Sequence, residues 1–491
     1  MSGIAGILSS QKQDLAEKMI EKISHRGTSK PRLWKNSMAS IGAVGFSRLH
    51  QRPGPLSTPS GDRVIVIDGR LTNRTALKKL LKSHAIDRGY SGEVALHAYE
   101  ELNVNSFGRL EGDFALAIVD KGRMVLARDR LGVRPLYYGF HEDALCFASE
   151  IKALVDWVDE VHEFPPGYFM LSDLGMFPYQ SYLPEDVDLD GPQDTAEHLA
   201  VYLQSAVQRA IPEGVEVGVW LSGGIDSSVI AALARHLVKN LHTFSAGTEG
   251  APDLEYARQV ADYIQSEHHE IICGRDEMKA VLEKTIFQLE SFDGPLVRSS
   301  VVNFLVAQLA SDYVPFVLSG EGGDELFAGY TYQKECGGEV ELTLSIQDAI
   351  AALHNTALQR VDRSAAAHGT GVGTPFLDPS VVRYALAIPA RWKIRGSKSV
   401  EKWPLRQGLS DALPDEVIWR KKVKFWKGAG ASSILPQFAE EEISDQEFEA
   451  EKDVNAEFQL RSQEELLYYR IFKNHFGGKV PLNEVGRTQH I

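Results

Sequence analysis

Cysteine is scarce in this sequence of 491 residues, which holds three copies, Cys146, Cys273 and Cys336. An odd number of widely spaced thiols excludes a disulfide framework, and their spacing matches no metal-binding motif. We therefore expect three buried free thiols.

Basic residues are also few, because 52 Lys and Arg face 67 Asp and Glu, which gives a net charge of −15. This balance disfavours binding to nucleic acids or to anionic membranes. The sequence has no long uninterrupted apolar run, and its start lacks the basic and apolar regions of a signal peptide. We therefore expect a cytoplasmic protein without nucleic-acid or membrane partners.

The overall composition, with 43% hydrophobic and 24% charged residues, is typical of a globular protein.

The chain is organised around the stretch from Val219 to Ser228. A strand-like run, Val215–Leu221, leads into Ser-Gly-Gly-Ile-Asp-Ser-Ser, and the apolar segment Val229–Leu237 predicts a helix. Such an arrangement presents backbone N–H groups to a phosphate. Asp226 would repel a bare phosphate, so we predict that it binds Mg²⁺ beside one.

A second glycine-rich loop follows the apolar run Pro315–Ser319 and carries carboxylates at 321, 324 and 325. Such a group is costly without a cation, and Asp324 together with Asp226 could hold Mg²⁺ on a pyrophosphate. Strands and helices alternate between these loops, which predicts a parallel sheet with its ligand at the carboxyl ends of the strands.

The N-terminal region contains many short strand-like segments and few helical ones, which predicts two packed sheets covered by helices. Its first segment reads Met-Ser-Gly-Ile-Ala-Gly-Ile-Leu. Removal of Met1 would leave Ser2 with a free amine beside its hydroxyl. That pair is the raw material of an N-terminal nucleophile, and it makes Ser2 a candidate catalytic residue.

Several motifs resemble known families. The N-terminal region is similar to the glutaminase domain of class-II amidotransferases through Ser24–Gly27, Leu110–Ala115, Ala127–Tyr138 and Phe147–Leu154. The two glycine-rich loops are similar to those of the synthetase domain of asparagine synthetases, as are Ser291–Ser300, Val361–Arg363, Pro375–Asp378 and Ile418–Lys422.

The resemblance implies a fold and a domain division. Residues 1–180 would form an αββα sandwich of the N-terminal-nucleophile hydrolase type, and 181–194 a linker. Residues 195–491 would form an α/β parallel-sheet ATP-pyrophosphatase domain of the adenine nucleotide alpha hydrolase type.

The resemblance also implies a reaction, in which ATP and Mg²⁺ activate a small carboxylate as an acyl-adenylate for attack by ammonia or an amine. The resemblance leaves open whether the chain forms a homodimer. Lys422 matches a family lysine that steadies charge on the α-phosphate. The metal candidates are Asp226 and Asp324. The nucleotide-binding candidates are Leu221, Ser222, Gly223, Gly224, Asp226, Ser227, Ser228, Ser245, Gly247, Gly320 and Glu321.

Four positions of the glutaminase pocket depart from the family. Ser2 replaces the nucleophilic Cys, Asp68 replaces an oxyanion-donating Asn, and Arg70 replaces a Glu. The family's Ser-Asp-Thr-Glu stretch is here Tyr90-Ser91-Gly92-Glu93 and lacks the Asp, while Arg48 matches the arginine that pairs the glutamine carboxylate. A carboxylate cannot donate to an oxyanion, and a hydroxyl is a weaker nucleophile than a thiolate. We therefore expect a scaffold without glutaminase activity.

The synthetase domain departs as well, because Gly371 and Gly373 occupy the positions of a family Glu and Arg. Their loss argues against amidation of aspartate by ammonia and would open volume for another substrate. The leading hypothesis is an amide-forming ligase that works without glutamine, with β-lactam synthetases as a precedent in specialised metabolism. An authentic asparagine synthetase, serving asparagine biosynthesis, and a non-catalytic regulatory homologue are the alternatives.

Overall fold

Two compact units make up the chain in the computed structural model. The structure describes residues 2–46, 52–81, 86, 89–179, 181–187, 189–396, 399–423 and 425–488, with backbone alone at 425 and 426. The first unit comprises Met1–Ser181 and Lys473–Val485, and the second comprises Tyr182–Phe472 and Gly486–Ile491. The segment Lys473–Val485, which the sequence assigned to the second domain, thus groups with the first unit.

Antiparallel strands dominate the first unit, and its described residues form two sheets in the orders β10-β8-β9-β1-β3-β2 and β12-β11-β7-β6-β5-β4. Its helices are α1 (Leu15–Lys22), α2 (Arg74–Leu80) and α3 (Ser91–Leu102). Its strands are β1 (Ser2–Leu8), β2 (Arg32–Lys35), β3 (Ala39–Gly45), β4 (Leu56–Ser57), β5 (Arg63–Leu71), β6 (Gly112–Asp120), β7 (Arg123–Arg128), β8 (Tyr137–His141), β9 (Ala144–Ala148), β10 (His162–Glu163), β11 (Tyr168–Leu171) and β12 (Gly175–Pro178).

Alternation along β5 explains the layering of these sheets. Val64 and Val66 belong to the core that they share with Ile4 of the other sheet. Ile65 belongs to a second core, which contains Val94 of α3. Because successive side chains point to opposite faces, one strand contributes to both cores. The predicted αββα sandwich is confirmed.

Parallel strands form the sheet of the second unit, whose described residues give the order β15-β14-β13-β16-β17. The strands are β13 (Val217–Trp220), β14 (His242–Gly247), β15 (Glu267–Ile272), β16 (Phe316–Leu318) and β17 (Gly371–Gly373), followed by a hairpin of β18 (Asp453–Asn455) and β19 (Phe458–Gln459). The predicted α/β parallel-sheet fold is confirmed.

Helices connect and follow these strands. They are α4 (Pro192–Ala210), α5 (Ile225–Arg235), α6 (Pro252–Ile264), α7 (Arg275–Leu289), α8 (Gly294–Ser311), α9 (Gly323–Leu326), α10 (Glu339–Ala351), α11 (Ala357–Ala367), α12 (Pro379–Ala387), α13 (Ala390–Lys393), α14 (Trp403–Gly408), α15 (Asp415–Ile418), α16 (Phe425–Gly428), α17 (Ile434–Glu442), α18 (Asp445–Glu451) and α19 (Gln463–Phe476). Across the described residues, no helix combines the length and apolarity needed to cross a bilayer.

The thiols follow the prediction at two of three positions. Cys146 and Cys273 are buried and free, whereas Cys336 is only partly buried. The expectation of a buried thiol was wrong for Cys336, because this residue precedes the exposed glycines Gly337 and Gly338 ahead of α10.

Candidate functional site

A cavity of about 930 Å³ lies in the second unit at the carboxyl ends of β13, β14 and β16. Strand β13 has β14 on one side and β16 on the other. The chain continues from β13 towards β14 and from β16 towards β17, in opposite directions along the sheet, and such a switch point is where open α/β sheets bind ligands. The cavity wall includes the predicted residues Leu221, Ser222, Asp226, Ser227, Ser245, Gly320, Glu321, Asp324 and Lys422.

The first wall segment is the loop between β13 and α5. The helix begins at Ile225, four residues before the predicted start, so Asp226 and Ser227 lie in its first turn. The Ser227 hydroxyl accepts a hydrogen bond from the Ser222 amide at 3.1 Å and lies 3.0 Å from the Ser222 hydroxyl. The unpaired N–H groups of a helix start favour an anion at this point.

The loop after β16 packs directly on the first loop. A Cβ on Gly320 would lie 2.7 Å from the Ser227 nitrogen, and one on Gly323 would lie 2.5 Å from Oδ1 of Asp226. Only glycine permits backbones to approach so closely. The short helix α9, which begins at Gly323, then carries Asp324 next to Asp226.

Four charged side chains meet where the loops touch. The ammonium group of Lys402 forms ion pairs with Asp226 and with Asp324, at 2.6 Å from Nζ to Oδ1 in the second pair. Lys422 contacts the other carboxylate oxygen of Asp324. Because Lys402 is fully buried, its charge acts on both carboxylates through a medium of low dielectric. The cluster thus comprises two carboxylates and two ammonium groups.

Sequence reasoning missed Lys402. Its neighbours Glu401 and Trp403 form no glycine-rich or acidic motif. The residue adopts a left-handed conformation with φ of 56°, directly before α14. A single lysine carries no pattern that distinguishes it from a solvated one, so no sequence signal could have found it.

Asp324 and Asp226 differ in pKa because they share the two lysines unequally. Burial would raise the pKa of Asp324, but Lys402 and Lys422 outweigh burial and hold that pKa well below its usual range. Burial raises the pKa of Asp226, which of these two lysines contacts Lys402 alone. The pKa of Lys422 lies above its ordinary value despite burial, because Asp324 and Asp226 stabilise its charge. Asp324 and Lys422 are therefore charged at neutral pH.

Glu325 forms a second acidic element of the wall. Burial, followed by the charges of Asp324 and Glu321, raises the pKa of Glu325 to about 7. The Tyr330 hydroxyl donates to Oε1 of Glu325, while Oε2 accepts no hydrogen bond from the described residues. Near neutrality this carboxyl is partly protonated, so it can donate or accept a proton at the cavity.

Two arginines hold the loops, and sequence reasoning assigned a role to neither. Arg360 of α11 forms an ion pair with Glu321, whose place in the wall was predicted. Arg420 donates to the Gly223 carbonyl at 3.0 Å and to Asp253, and its guanidinium lies 4.0 Å from the Tyr256 ring centroid. Arg420 stands in the Trp-Arg-Lys-Lys segment and fixes it near the β13 loop.

Four predicted residues stand behind the wall. Gly223 has φ of 67°, and a Cβ there would lie 2.7 Å from the Ala257 nitrogen. Gly224 caps α5, and a Cβ on Gly247 would meet Ala251. Ser228 is buried, and its hydroxyl has no hydrogen-bond partner among the described residues. The glycines shape the loops, and Ser228 keeps an unused donor.

Gly371 and Gly373 lie in the buried strand β17. A Cβ on Gly373 would lie 3.1 Å from Cζ of Phe316 and 3.2 Å from Cδ2 of Leu318. At Gly373 the neighbouring strand β16 occupies the space that a side chain would enter, so this glycine opens no volume there. Neither glycine belongs to the cavity wall described above.

A separate charged cluster surrounds Ser2 in the first unit. The Ser2 backbone N–H donates to Oδ1 of Asp68 at 2.7 Å, and its hydroxyl donates to the same oxygen at 3.0 Å. Arg26 forms ion pairs with Asp68 at 3.1 Å and with Glu150 at 2.7 Å. Ser2 is buried, and Arg48 lies outside the described residues.

Known families match both regions. The sequence model described as "Asparagine synthase" matches residues 198–340 and 336–480, and the one described as "Glutamine amidotransferase domain" matches residues 1–170. "Asparagine synthetase [glutamine-hydrolyzing] 1" of Arabidopsis thaliana is 31% identical over 97% of this chain and 87% of its own length. "Asparagine synthetase [glutamine-hydrolyzing]" of Zea mays is 34% identical over 81% of this chain and 73% of its own length.

Among solved structures, glutamine phosphoribosylpyrophosphate amidotransferase from B. subtilis, complexed with ADP and GMP, matches with a TM-score of 0.33 and 18% identity. The match covers 55% of this chain and 65% of that one.

Proposed function

Because this chain belongs to the asparagine synthetase family of C–N bond-forming ligases, we propose that it uses ATP to activate a small carboxylate as an acyl-adenylate. Ammonia or an amine then forms the amide, without hydrolysis of glutamine. We assign the synthetase reaction to the second unit and regard the first unit as an amidotransferase-like scaffold.

One observation carries the proposal. The two glycine-rich loops touch at Gly320 and Ser227 while Asp226, Asp324 and Lys422 line the same cavity. A polyphosphate needs backbone donors, cations and close approach at a single place. The loops supply the first and third of these, and Lys422 supplies a cation.

Magnesium fits the carboxylate pair. Oδ1 of Asp226 is buried and accepts no hydrogen bond from any residue in the described ranges. Hard oxygen ligands from one or two carboxylates, with the rest from phosphate and water, are what Mg²⁺ requires. Asp226 and Asp324 would hold the ion, which would neutralise charge on the leaving pyrophosphate.

The chain's own residues have distinct roles in the proposed reaction. A carboxylate oxygen of the substrate attacks the α-phosphorus, and the bond to the β-phosphate oxygen breaks. Ser222, Ser227 and the start of α5 bind the phosphates, while Lys422 stabilises charge on the α-phosphate. The amine nitrogen then attacks the acyl carbon, AMP leaves, and the nitrogen loses a proton.

The cluster at Ser2 supports the absence of glutamine hydrolysis. Asp68 accepts hydrogen bonds from both the amide and the hydroxyl of Ser2, and Arg26 pairs with it. A carboxylate at this position would repel an oxyanion, whereas the Asn that the family carries there could donate a hydrogen bond to one. The relatives' names include "glutamine-hydrolyzing", so in this respect the chain would differ from them.

A second candidate, synthesis of asparagine itself, is favoured by the names of the relatives and by identities of 31% and 34% over most of the chain. Gly373 of β17 packs against Phe316 and lies outside the cavity wall, so it does not enlarge the cavity beyond what aspartate would need.

The experiment measures pyrophosphate release from ATP and Mg²⁺ with a panel of carboxylic acids, each supplied with ammonia or with an amine. Asp324→Asn tests the site. Asp262→Asn, on the exposed surface of α6, is the matched control.

The outcomes are distinct. Release with an acid other than aspartate, lost in Asp324→Asn and kept in Asp262→Asn, is the expected result. Asparagine formed from aspartate would favour the second candidate. Silence across the panel would contradict both proposals and favour a non-catalytic homologue.

A further inference from the structure

Three side chains that can bind a metal cluster on the sheet of the second unit, and none of them lines the cavity. His242 begins β14, and Glu267 and His269 lie at the start of β15. In the parallel register His242 is opposite Glu267, and Phe244 is opposite His269. Since side chains two apart share a face, the three ligands point to the same side of the sheet.

The ligand atoms are spaced for one small cation. Nδ1 of His242 lies 3.0 Å from Nε2 of His269. The Glu267 carboxylate oxygens lie 3.8 Å from His242 Nδ1 and 3.7 Å from His269 Nε2. Bonds of about 2.0–2.2 Å at tetrahedral angles place neighbouring ligand atoms about 3.3–3.6 Å apart. Shifts of a few tenths of an ångström would complete such a site.

Aromatic packing fixes the imidazole rings. His269 stacks with Phe244 at 5.1 Å between centroids and contacts Tyr313 at 3.9 Å. Its ring also stacks with that of His242, at 5.3 Å. The two imidazole side chains are 14% and 12% exposed, whereas that of Glu267 is 64% exposed. The nitrogens are thus held in place, and the carboxylate closes the site from the solvent side.

We propose that His242, Glu267 and His269 bind a divalent transition-metal ion, for which Zn²⁺ is the best match. Two imidazoles and one carboxylate are a borderline-soft donor set, which suits Zn²⁺ and disfavours Mg²⁺. A fourth position is left for water or another ligand. The site lies at the amino ends of β14 and β15, whereas the cavity lies at the carboxyl ends of the strands. None of the three ligands lines the cavity, although Phe244, which stacks on His269, does.

Neighbouring His268 supplies a matched control. Its side chain points to the opposite face, where Nδ1 lies 2.9 Å from the Thr243 hydroxyl and Nε2 lies 3.0 Å from Glu270. A histidine one residue from the cluster, and on the other face, separates site binding from adventitious imidazole binding.

The test is calorimetric titration of Zn²⁺ into the full chain after removal of metals with EDTA. We expect one tight site, which His242→Ala/His269→Ala abolishes and His268→Ala retains. Glu267→Ala, at an exposed side chain that packing does not restrain, should weaken binding by more than the roughly 10–100-fold that loss of an outer-shell partner costs. Co²⁺ bound to the same protein should give visible absorption bands of a tetrahedral site.

Several results would overturn the proposal. Unchanged affinity and stoichiometry in Glu267→Ala, or equal losses in His268→Ala and the double variant, would each do so. Thermal unfolding in EDTA tests whether the double variant folds. If the double variant does not fold, the zinc affinity of Glu267→Ala tests the proposal.

Discussion

At the scale of single residues, Lys402 fixes the geometry of the candidate site. Its ammonium joins Asp226 of one loop to Asp324 of the other. Removing one partner from a buried ion pair leaves an uncompensated charge, at a cost of about 3–5 kcal/mol. We expect Lys402→Met to lower the free energy of unfolding in urea by that amount, whereas the exposed Lys239→Met changes it little. Equal stability of the two variants would refute this role.

Glu325 gives the protein a pH-dependent stability. Burial, followed by the charges of Asp324 and Glu321, raises the pKa of this carboxyl from its ordinary 4.5 to about 7 in the folded chain. Between these values the unfolded chain binds fewer protons, so the free energy of unfolding falls as pH rises from about 4.5 to 7. We expect Glu325→Gln to flatten that fall, as measured by urea unfolding across the window. The same slope in Glu325→Gln as in Glu255→Gln, an exposed control, would contradict the assignment.

At the scale of elements, the candidate site depends on the contact between two loops and not on either loop alone. A methyl group on Gly320 would meet the Ser227 nitrogen, whereas one on Gly338, before α10, would meet nothing within 4 Å. Because a misplacement of about 1 Å can cost about 100-fold in rate, we expect Gly320→Ala to reduce pyrophosphate release by about that factor. Gly338→Ala should be unaffected. Similar activity in both variants would argue against a loop contact that matters.

Elements with a strong pattern were predictable from the sequence. Strand β13 lies within the predicted strand-like run Val215–Leu221, and β16 lies within the apolar run Pro315–Ser319. Helix α5 begins earlier than predicted because its first turn is polar, and β17 was missed because two of its three residues are glycine. Both loops of the site were identified from glycines and carboxylates. The partners Lys402 and Arg360 were not, because tertiary packing brings them in from distant segments.

At the scale of the whole molecule, we propose that the second unit carries out the synthetase reaction and that the first unit hydrolyses no glutamine. Ser2 is buried against Asp68, which cannot donate a hydrogen bond to an oxyanion. We therefore expect the full chain to make amide from ammonia or an amine and to release no glutamate from glutamine. Chromatographic measurement of glutamate checks this expectation. Glutamate release that Ser2→Ala abolishes would show a working serine nucleophile and reverse the assignment.

The backbone contact of Gly320 with Ser227 has a consequence for synthesis of the protein. The first loop is made early, but its counterpart emerges only after β14, β15 and the helices α6 to α8 have been translated. A nascent or truncated chain that ends before this point has only one of the two loops of the proposed phosphate site. We therefore expect such a chain to consume no ATP until the segment that carries the second loop has been made and has folded onto the sheet.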